Sequence, residues 1–317
     1  MEMRKLGRSG LTIAPLVLGG NVFGWTADKK TSFDLLDRFV DAGLNAVDTA
    51  DAYSRWIPGH VGGESETIIG EWLASRKNRD RIVLITKVGS DMGSGRKDLS
   101  AAYISRAVED SLRRLQTDHI DLYFSHWPDP TVSHEETLGA YDKLIKAGKV
   151  RAIGCSNYDA ELLKAALKAA DANGLPHYSV LQPEYNLYNR ASFEGPLRDL
   201  VLTEDIGVIS YYALASGFLS GKYRNADDKG KSARGSAMDK FLNARGFAIL
   251  GALDAVAQKH GAAQAEVAIA WVRQSRGITA PIASATSLAQ LESLIKAASL
   301  QLDKEDMAAL DAAGAKS

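Results

Sequence analysis

Short runs of apolar and β-branched residues recur at 16–18, 45–47, 82–86, 120–124, 150–153, 179–181, 207–210 and 278–282, and each reads as a strand buried on both faces. Between them, segments 32–42, 64–75, 100–115, 135–147, 160–172 and 288–298 carry apolar residues at helical spacing among mixed charges. Strand and helix therefore alternate, which requires crossover connections and a parallel sheet. Eight such units favour closure into an α/β (β/α)8 TIM barrel over an open sheet. Ahead of the first unit, residues 3–13 turn at Arg8-Ser9-Gly10 and read as an N-terminal β-hairpin. No Pro/Gly/Ser-rich linker or change of composition divides the chain, so residues 1–317 are expected to form one barrel domain. The polar, Gly-containing stretch 225–236 follows the seventh strand and reads either as a solvated loop or as a cover over a site.

Composition narrows the partners. A formal net charge of −1 over 317 residues offers no basic field for a phosphate backbone, so a small-molecule substrate is expected rather than nucleic acid. Cys155 is the single cysteine, which rules out an internal disulfide and a thiolate-rich metal site; no metal is expected. No window approaches about 18 continuous apolar residues, and the expected location is the cytoplasm, away from membranes. Oligomeric state is not encoded in any visible pattern.

The chemistry lies where the apolar runs end. Strand two runs into NAVDTADAY, strand three into IVLITK, strand four into DLYFSHWPD and strand five into RAIGCSN. A strand buried on both faces does not carry Asp48, Lys87 and His126 at its end without cause, because an unpaired buried charge costs several kcal/mol, on the order of 3–5. Singly, each has a bland explanation: an Asp48–Lys87 ion pair and a satisfied core histidine. Together, at the carboxyl ends of three consecutive barrel strands, they mark a catalytic face. Tyr53, five residues after Asp48, is placed to lean toward Lys87. Beside an ammonium its phenol is expected to ionise below the ordinary value of about 10, with Asp48 keeping the lysine charged. Tyr53 then acts as a tuned general acid, and His126 hydrogen-bonds the oxygen on which negative charge develops. Aromatic residues of the neighbouring loops, Phe23, Trp25, Trp56 and Trp127, with His60, are the substrate-contact candidates. Cys155 sits in an apolar strand end and reads as a small buried residue with no role in proton transfer.

The motifs DTADAY, ITK, LYFSHWPD, GCSNY, LQPEYN, YYALASGFLSGKY and ATSLAQLE, in this order, resemble the aldo-keto reductase superfamily, most closely the bacterial branch that includes the potassium channel β-subunits. The resemblance spans nearly the whole chain. It implies a barrel that binds its nucleotide without a GxGxxG loop, and this sequence has none. It also implies the tetrad Asp48, Tyr53, Lys87 and His126, with Tyr53 as proton donor in NADPH-dependent reduction of an aldehyde, ketone or sugar; NADH use, an oxidative direction and a redox-sensing role remain alternatives within the family.

By the same resemblance Gly20, Asn21 and Asp48 border the cofactor, and Ser156, Asn157 and Gln182 hold the nicotinamide carboxamide beneath a stacking Tyr211. Tyr212, Ala213, Leu214, Ala215, Gly217 and Lys222 correspond to the pyrophosphate belt, with Ala213 where proline is common. Ser284, Thr286 and Gln290 correspond to the adenosine end, where the family often has an arginine or lysine and this chain has neither; Arg234, from the polar loop, reads either as the residue that swings over to supply that charge or as a solvated arginine. The stretch SRWIPGHVGG after Tyr53 is longer than the family's usual link and adds a loop beside the substrate mouth.

Overall fold

The computed structural model describes residues 2–225, 228 and 238–315. The remainder of the polar stretch 225–236, Arg234 included, lies outside the described residues. A two-stranded antiparallel hairpin, β1 (Arg4–Lys5) and β2 (Thr12–Ile13), precedes a closed barrel of parallel strands. These are β3 (Val17–Gly19), β4 (Ala46–Asp48), β5 (Val83–Val88), β6 (Ile120–Ser125), β7 (Val150–Ser156), β8 (Val180–Gln182), β9 (Gly207–Ser210) and β10 (Ala280–Ala283), with β10 pairing both β9 and β3. The expected (β/α)8 barrel with its N-terminal hairpin is the fold observed.

Helices α1 (Lys29–Asp41), α2 (Glu64–Arg76), α3 (Ala101–Leu115), α4 (His134–Lys146), α5 (Ala160–Asn173) and α9 (Leu288–Ala297) coincide with the six helical segments read from periodicity. Polar caps start five of them: the side chains of Asp28, Ser100, Ser133, Asp159 and Ser287 each accept from a backbone N–H of the first turn. Four further helices, α6 (Pro196–Thr203), α7 (Ala244–His260), α8 (Gln264–Gln274) and α10 (Lys304–Gly314), lie outside the six segments read from periodicity. In α8 the run from Glu266 to Arg273 is buried all round, so no polar stripe marks it as a helix.

Two apolar layers hold the barrel. The outer one packs helices on strands. The inner one fills the barrel with Val17, Ala46, Ile85, Leu122, Phe124, Ala152, Val180, Ile209, Ala280 and Ile282. Leu6 and Ile13 of the hairpin belong to this inner cluster, so the hairpin plugs the amino-terminal end of the barrel. Arg8 N–H donates to Asp205 O at 2.9 Å and ties the plug to the segment entering β9. The carboxyl-terminal end stays open. Several strands extend past the apolar runs to include Asp48, Lys87, Ser156 and Gln182, because these polar groups find partners there and remain in the ladder.

Candidate active site

Side chains alternate along a strand with period two, so the residue two beyond each inward apolar residue also faces the barrel axis. Ala46 is followed by Asp48, Ile85 by Lys87, Phe124 by His126, Val180 by Gln182, Ile209 by Tyr211 and Ile282 by Ser284. One polar layer thus rests directly on the apolar plug. Above it opens a cavity of about 1160 Å³.

Lys87 has no exposed surface, and its three ammonium hydrogens are fully used. Nζ donates to Asp48 Oδ2 at 2.6 Å, to Thr49 O at 2.7 Å and to the Tyr53 hydroxyl oxygen at 2.8 Å. The Tyr53 hydroxyl in turn donates to Asp48 Oδ2 at 3.2 Å, and Gln182 Nε2 donates to Asp48 Oδ1 at 3.0 Å. Burial pulls the Lys87 ammonium down from its ordinary value, opposed by the Asp48 carboxylate. Tyr53 departs from expectation: its phenol is pushed well above the ordinary value, by burial first and the Asp48 carboxylate second. The ammonium is shared among three acceptors and the carboxylate stands against the phenol, so proximity to Lys87 does not lower it.

His126 lies across from Tyr53, with ring centroids 5.9 Å apart. Burial, then the charges of Lys87 and Lys97, hold the imidazole well below its ordinary value, so it is neutral near pH 7. The Ser90 hydroxyl sits 2.9 Å from Nδ1. Asn157 Nδ2 donates to His126 O at 2.8 Å, and the Tyr211 hydroxyl donates to Asn157 Oδ1 at 2.8 Å. Asn157 holds a left-handed backbone with φ 62°, which the amide tolerates better than most side chains. Tyr53, Asp48 and His126 line the cavity, while Lys87 supports them from behind.

The cavity continues past Ser156, Gln182 and Tyr211 to a run of unusual backbone. Tyr212, Ala215, Ser216 and Gly217 all have positive φ, of 56°, 46°, 58° and 97°. Two of their N–H groups are already spent, Ala215 N–H on Tyr212 O at 2.7 Å and Gly217 N–H on Leu214 O at 2.8 Å, so this tight turn packs as a wall beside the cavity. Tyr212, Ala213, Leu214, Gly217 and Lys222 line it, whereas Ala215 is buried behind the wall. At the far end stand Asn21, Ser284, Thr286 and Gln290. Ser284 Oγ donates to Asn21 Oδ1 at 2.5 Å. A side chain at Gly19 would meet Ser284 Oγ at 2.6 Å, so a glycine keeps the wall thin there.

Besides Ala215, three expected residues lie elsewhere. Gly20 is behind the wall, its N–H donating to Asp48 O at 2.7 Å, and Gly19 takes its place on the surface. Phe23 has no exposed surface and serves its own loop, its carbonyl accepting from Ser54 Oγ at 3.0 Å. His60 does not line the cavity, because its loop turns it aside. Trp25, Trp56 and Trp127 do line the mouth. Trp56 meets Trp25 edge to face at 5.7 Å, and Trp127 stacks beside His126 at 6.2 Å. Lys97 Nζ lies 4.5 Å above the Trp127 ring.

Sequence reasoning missed Ser90, Arg55, Asp91 and Glu184, which also line the cavity. The signal for Ser90 was available: it lies three residues past Lys87, at the same barrel mouth. Cys155 is buried and burial raises its thiol, leaving it without a part in the chemistry. Among the described residues no group of three or more metal-ligating side chains converges, and no helix is long and apolar enough to cross a membrane.

Comparison with known proteins gives the same picture. Residues 15–315 match the Aldo/keto reductase family. The uncharacterized oxidoreductase YrpG of Bacillus subtilis is 36% identical over 317 residues, covering 96% of this chain and 93% of that protein. Aldo-keto reductase YhdN of Bacillus subtilis is 32% identical over 325 residues, covering 96% and 91%. The norsolorinic acid reductase of Aspergillus flavus is 32% identical over 320 residues, covering 96% and 78%. With a family match across nearly its whole length on a closed parallel barrel, the chain belongs to the aldo/keto reductase family and is an NAD(P)H-dependent oxidoreductase of small-molecule carbonyl compounds.

Proposed function

We propose that the protein reduces a flat aldehyde or ketone to the alcohol with NADPH, with Tyr53 as the proton donor. The observation that carries this reading is the Tyr53 hydroxyl, held between the Lys87 ammonium and the Asp48 carboxylate beside a neutral His126. A bound nicotinamide supplies the hydride. His126 and Tyr53 flank the place for the carbonyl oxygen, and His126 donates a hydrogen bond to it. Tyr53 then gives its proton to the alkoxide, and the Lys87 ammonium stabilises the resulting phenolate. The raised phenol keeps its proton through the resting state and releases it only to a strong base such as an alkoxide. Asp48 fixes the lysine, and Gln182 fixes Asp48.

Ser156, Asn157 and Gln182 would hold the carboxamide, with the Tyr211 ring alongside. The segment from Tyr212 to Gly217, with Lys222, would take the pyrophosphate. At the adenosine end the described lining residues Asn21, Ser284, Thr286 and Gln290 offer hydroxyls and amides with no carboxylate among them. An NAD-specific site commonly places an acidic residue on the ribose hydroxyl, which would repel a 2′-phosphate, so this neutral end supports NADPH. The indole walls of Trp25, Trp56 and Trp127 support a planar substrate, and the relative named norsolorinic acid reductase supports the reductive direction.

Tyr53→Phe tests the mechanism: turnover should fall by at least about 100-fold while NADPH binding stays within about twofold. Near wild-type turnover would sink it. Comparing kcat/KM for NADPH and NADH tests the cofactor, and an NADH advantage would overturn that choice.

A further inference from the structure

Apart from Arg273, the buried cation among the described residues is Lys87, and it is paired with an acid, Asp48, at 2.6 Å. Arg273 is different. It lies in the last turn of α8, only 4% exposed. Its Nη2 donates to Gln274 Oε1 at 2.9 Å and to Leu300 O, and its Nε is buried with no hydrogen-bond partner. The charge it faces is another cation. Arg4, from β1, donates through Nη1 to the backbone oxygens of Arg273 at 3.0 Å and Thr279 at 2.8 Å, which brings a second cation close enough for its charge to act on Arg273. Burial and then the Arg4 charge push Arg273 down to about 10. Glu2 partly offsets the charge of Arg4, and no ion pair to a carboxylate engages Arg4, Lys5 or Arg273 among the described residues.

These groups surround a depression of about 580 Å³ that opens to solvent. Thr279 precedes β10, so the depression lies at the amino-terminal end of the barrel, away from the catalytic mouth. A buried guanidinium with an unused donor, doubled by a second one, is an uncompensated positive charge, and the compensation it lacks is an anion.

We propose that the depression formed by Arg4, Lys5, Arg273, Ser275, Thr279 and Gln301 binds a small phosphate dianion, free or as a simple monoester. A phosphate carries nearly two negative charges near pH 7 and several acceptor oxygens, which matches two guanidinium forks and a lysine better than a single carboxylate does. Bound there, it joins the hairpin to the end of α8 and to the segment entering β10. The barrel is then fastened at the end that the hairpin plugs.

The test is equilibrium dialysis of inorganic phosphate against the enzyme saturated with NADP⁺, so that phosphate sites at the catalytic mouth are already filled. One saturable equivalent is expected in the wild type. Arg273→Met should weaken it by at least about tenfold with kcat unchanged. Because Arg273 also caps the Leu300 carbonyl, its loss threatens folding, so the exposed rim variant Gln301→Glu is measured beside it. That carboxylate should repel phosphate, again by about tenfold. Methyl phosphate titrated in parallel separates the two sources: tighter binding of the ester assigns the site to a monoester, and equal or weaker binding assigns it to free phosphate. Absence of saturable binding to the wild type, or wild-type affinity in Gln301→Glu, overturns the proposal.

Discussion

The Ser90 hydroxyl stands 2.9 Å from His126 Nδ1, at a neutral imidazole that carries one ring proton. If the serine donates, Nδ1 is an acceptor and the proton is fixed on Nε2, free to meet a substrate oxygen. Ser90→Ala removes that preference. The expected result is a fall in kcat of about fivefold, the worth of one net hydrogen bond of about 1 kcal/mol, with little change in KM. Nitrogen-15 spectra of the imidazole should show the Nε2–H form in the wild type and a mixture in the variant. A wild-type spectrum dominated by Nδ1–H would refute this assignment of roles.

Lys87 and Asp48 are both almost wholly buried and 2.6 Å apart, so removing one strands the other. Lys87→Met should destabilise the fold by about 3–5 kcal/mol, because the Asp48 carboxylate keeps only the Gln182 amide and the Tyr53 hydroxyl. Asp48→Asn combined with Lys87→Met leaves no buried charge and should cost less than Lys87→Met alone. Denaturant unfolding of the two proteins decides the sign of that difference. The opposite order would mean that the pair is not coupled as its geometry requires.

Short continuous apolar runs separated by helical spacing made the eight barrel strands legible, because strands buried on both faces carry no polar positions and are joined by amphipathic helices in that architecture. The same periodicity placed Asp48, Lys87 and His126 at one mouth. It failed at α8, where burial on all sides erases the stripe, and at Phe23, whose aromatic character fits a pocket wall and a loop core equally well. The direction of the Tyr53 phenol was also beyond reach. It depends on how the Lys87 ammonium divides itself among three acceptors, and only geometry gives that.

Trp56 is 51% exposed, yet its ring meets Trp25 at 5.7 Å and Tyr53 at 6.2 Å over the cavity. An exposed indole contributes little to folding, but a planar substrate entering the mouth would cover it. Trp56→Ala should raise KM for an aryl aldehyde by about 5–10-fold while shifting KM for a short aliphatic aldehyde little. The melting temperature should stay within about 1–2 °C. Equal effects on both substrates would remove the indole from substrate recognition.

Asp51 is 3% exposed, its Oδ1 has no hydrogen-bond partner, and it lies among the charges of Glu66, Arg114 and Lys87. Burial first and the Glu66 carboxylate second raise its carboxyl to about 8, so the folded protein holds a proton that the unfolded chain loses near 3.8. Between those values the folded state binds more protons, so this residue's contribution to stability falls as pH rises, by up to about 1.4 kcal/mol per unit, and levels off above about 8. Asp51→Asn abolishes the titration without changing the shape. Its stability relative to wild type should therefore climb steadily from pH 5 to pH 8 in denaturant unfolding, while the contributions of groups that do not interact with Asp51 cancel in the difference. A difference that stays flat across that range would mean Asp51 is ionised in the folded protein, with its charge compensated by Arg114 and Lys87.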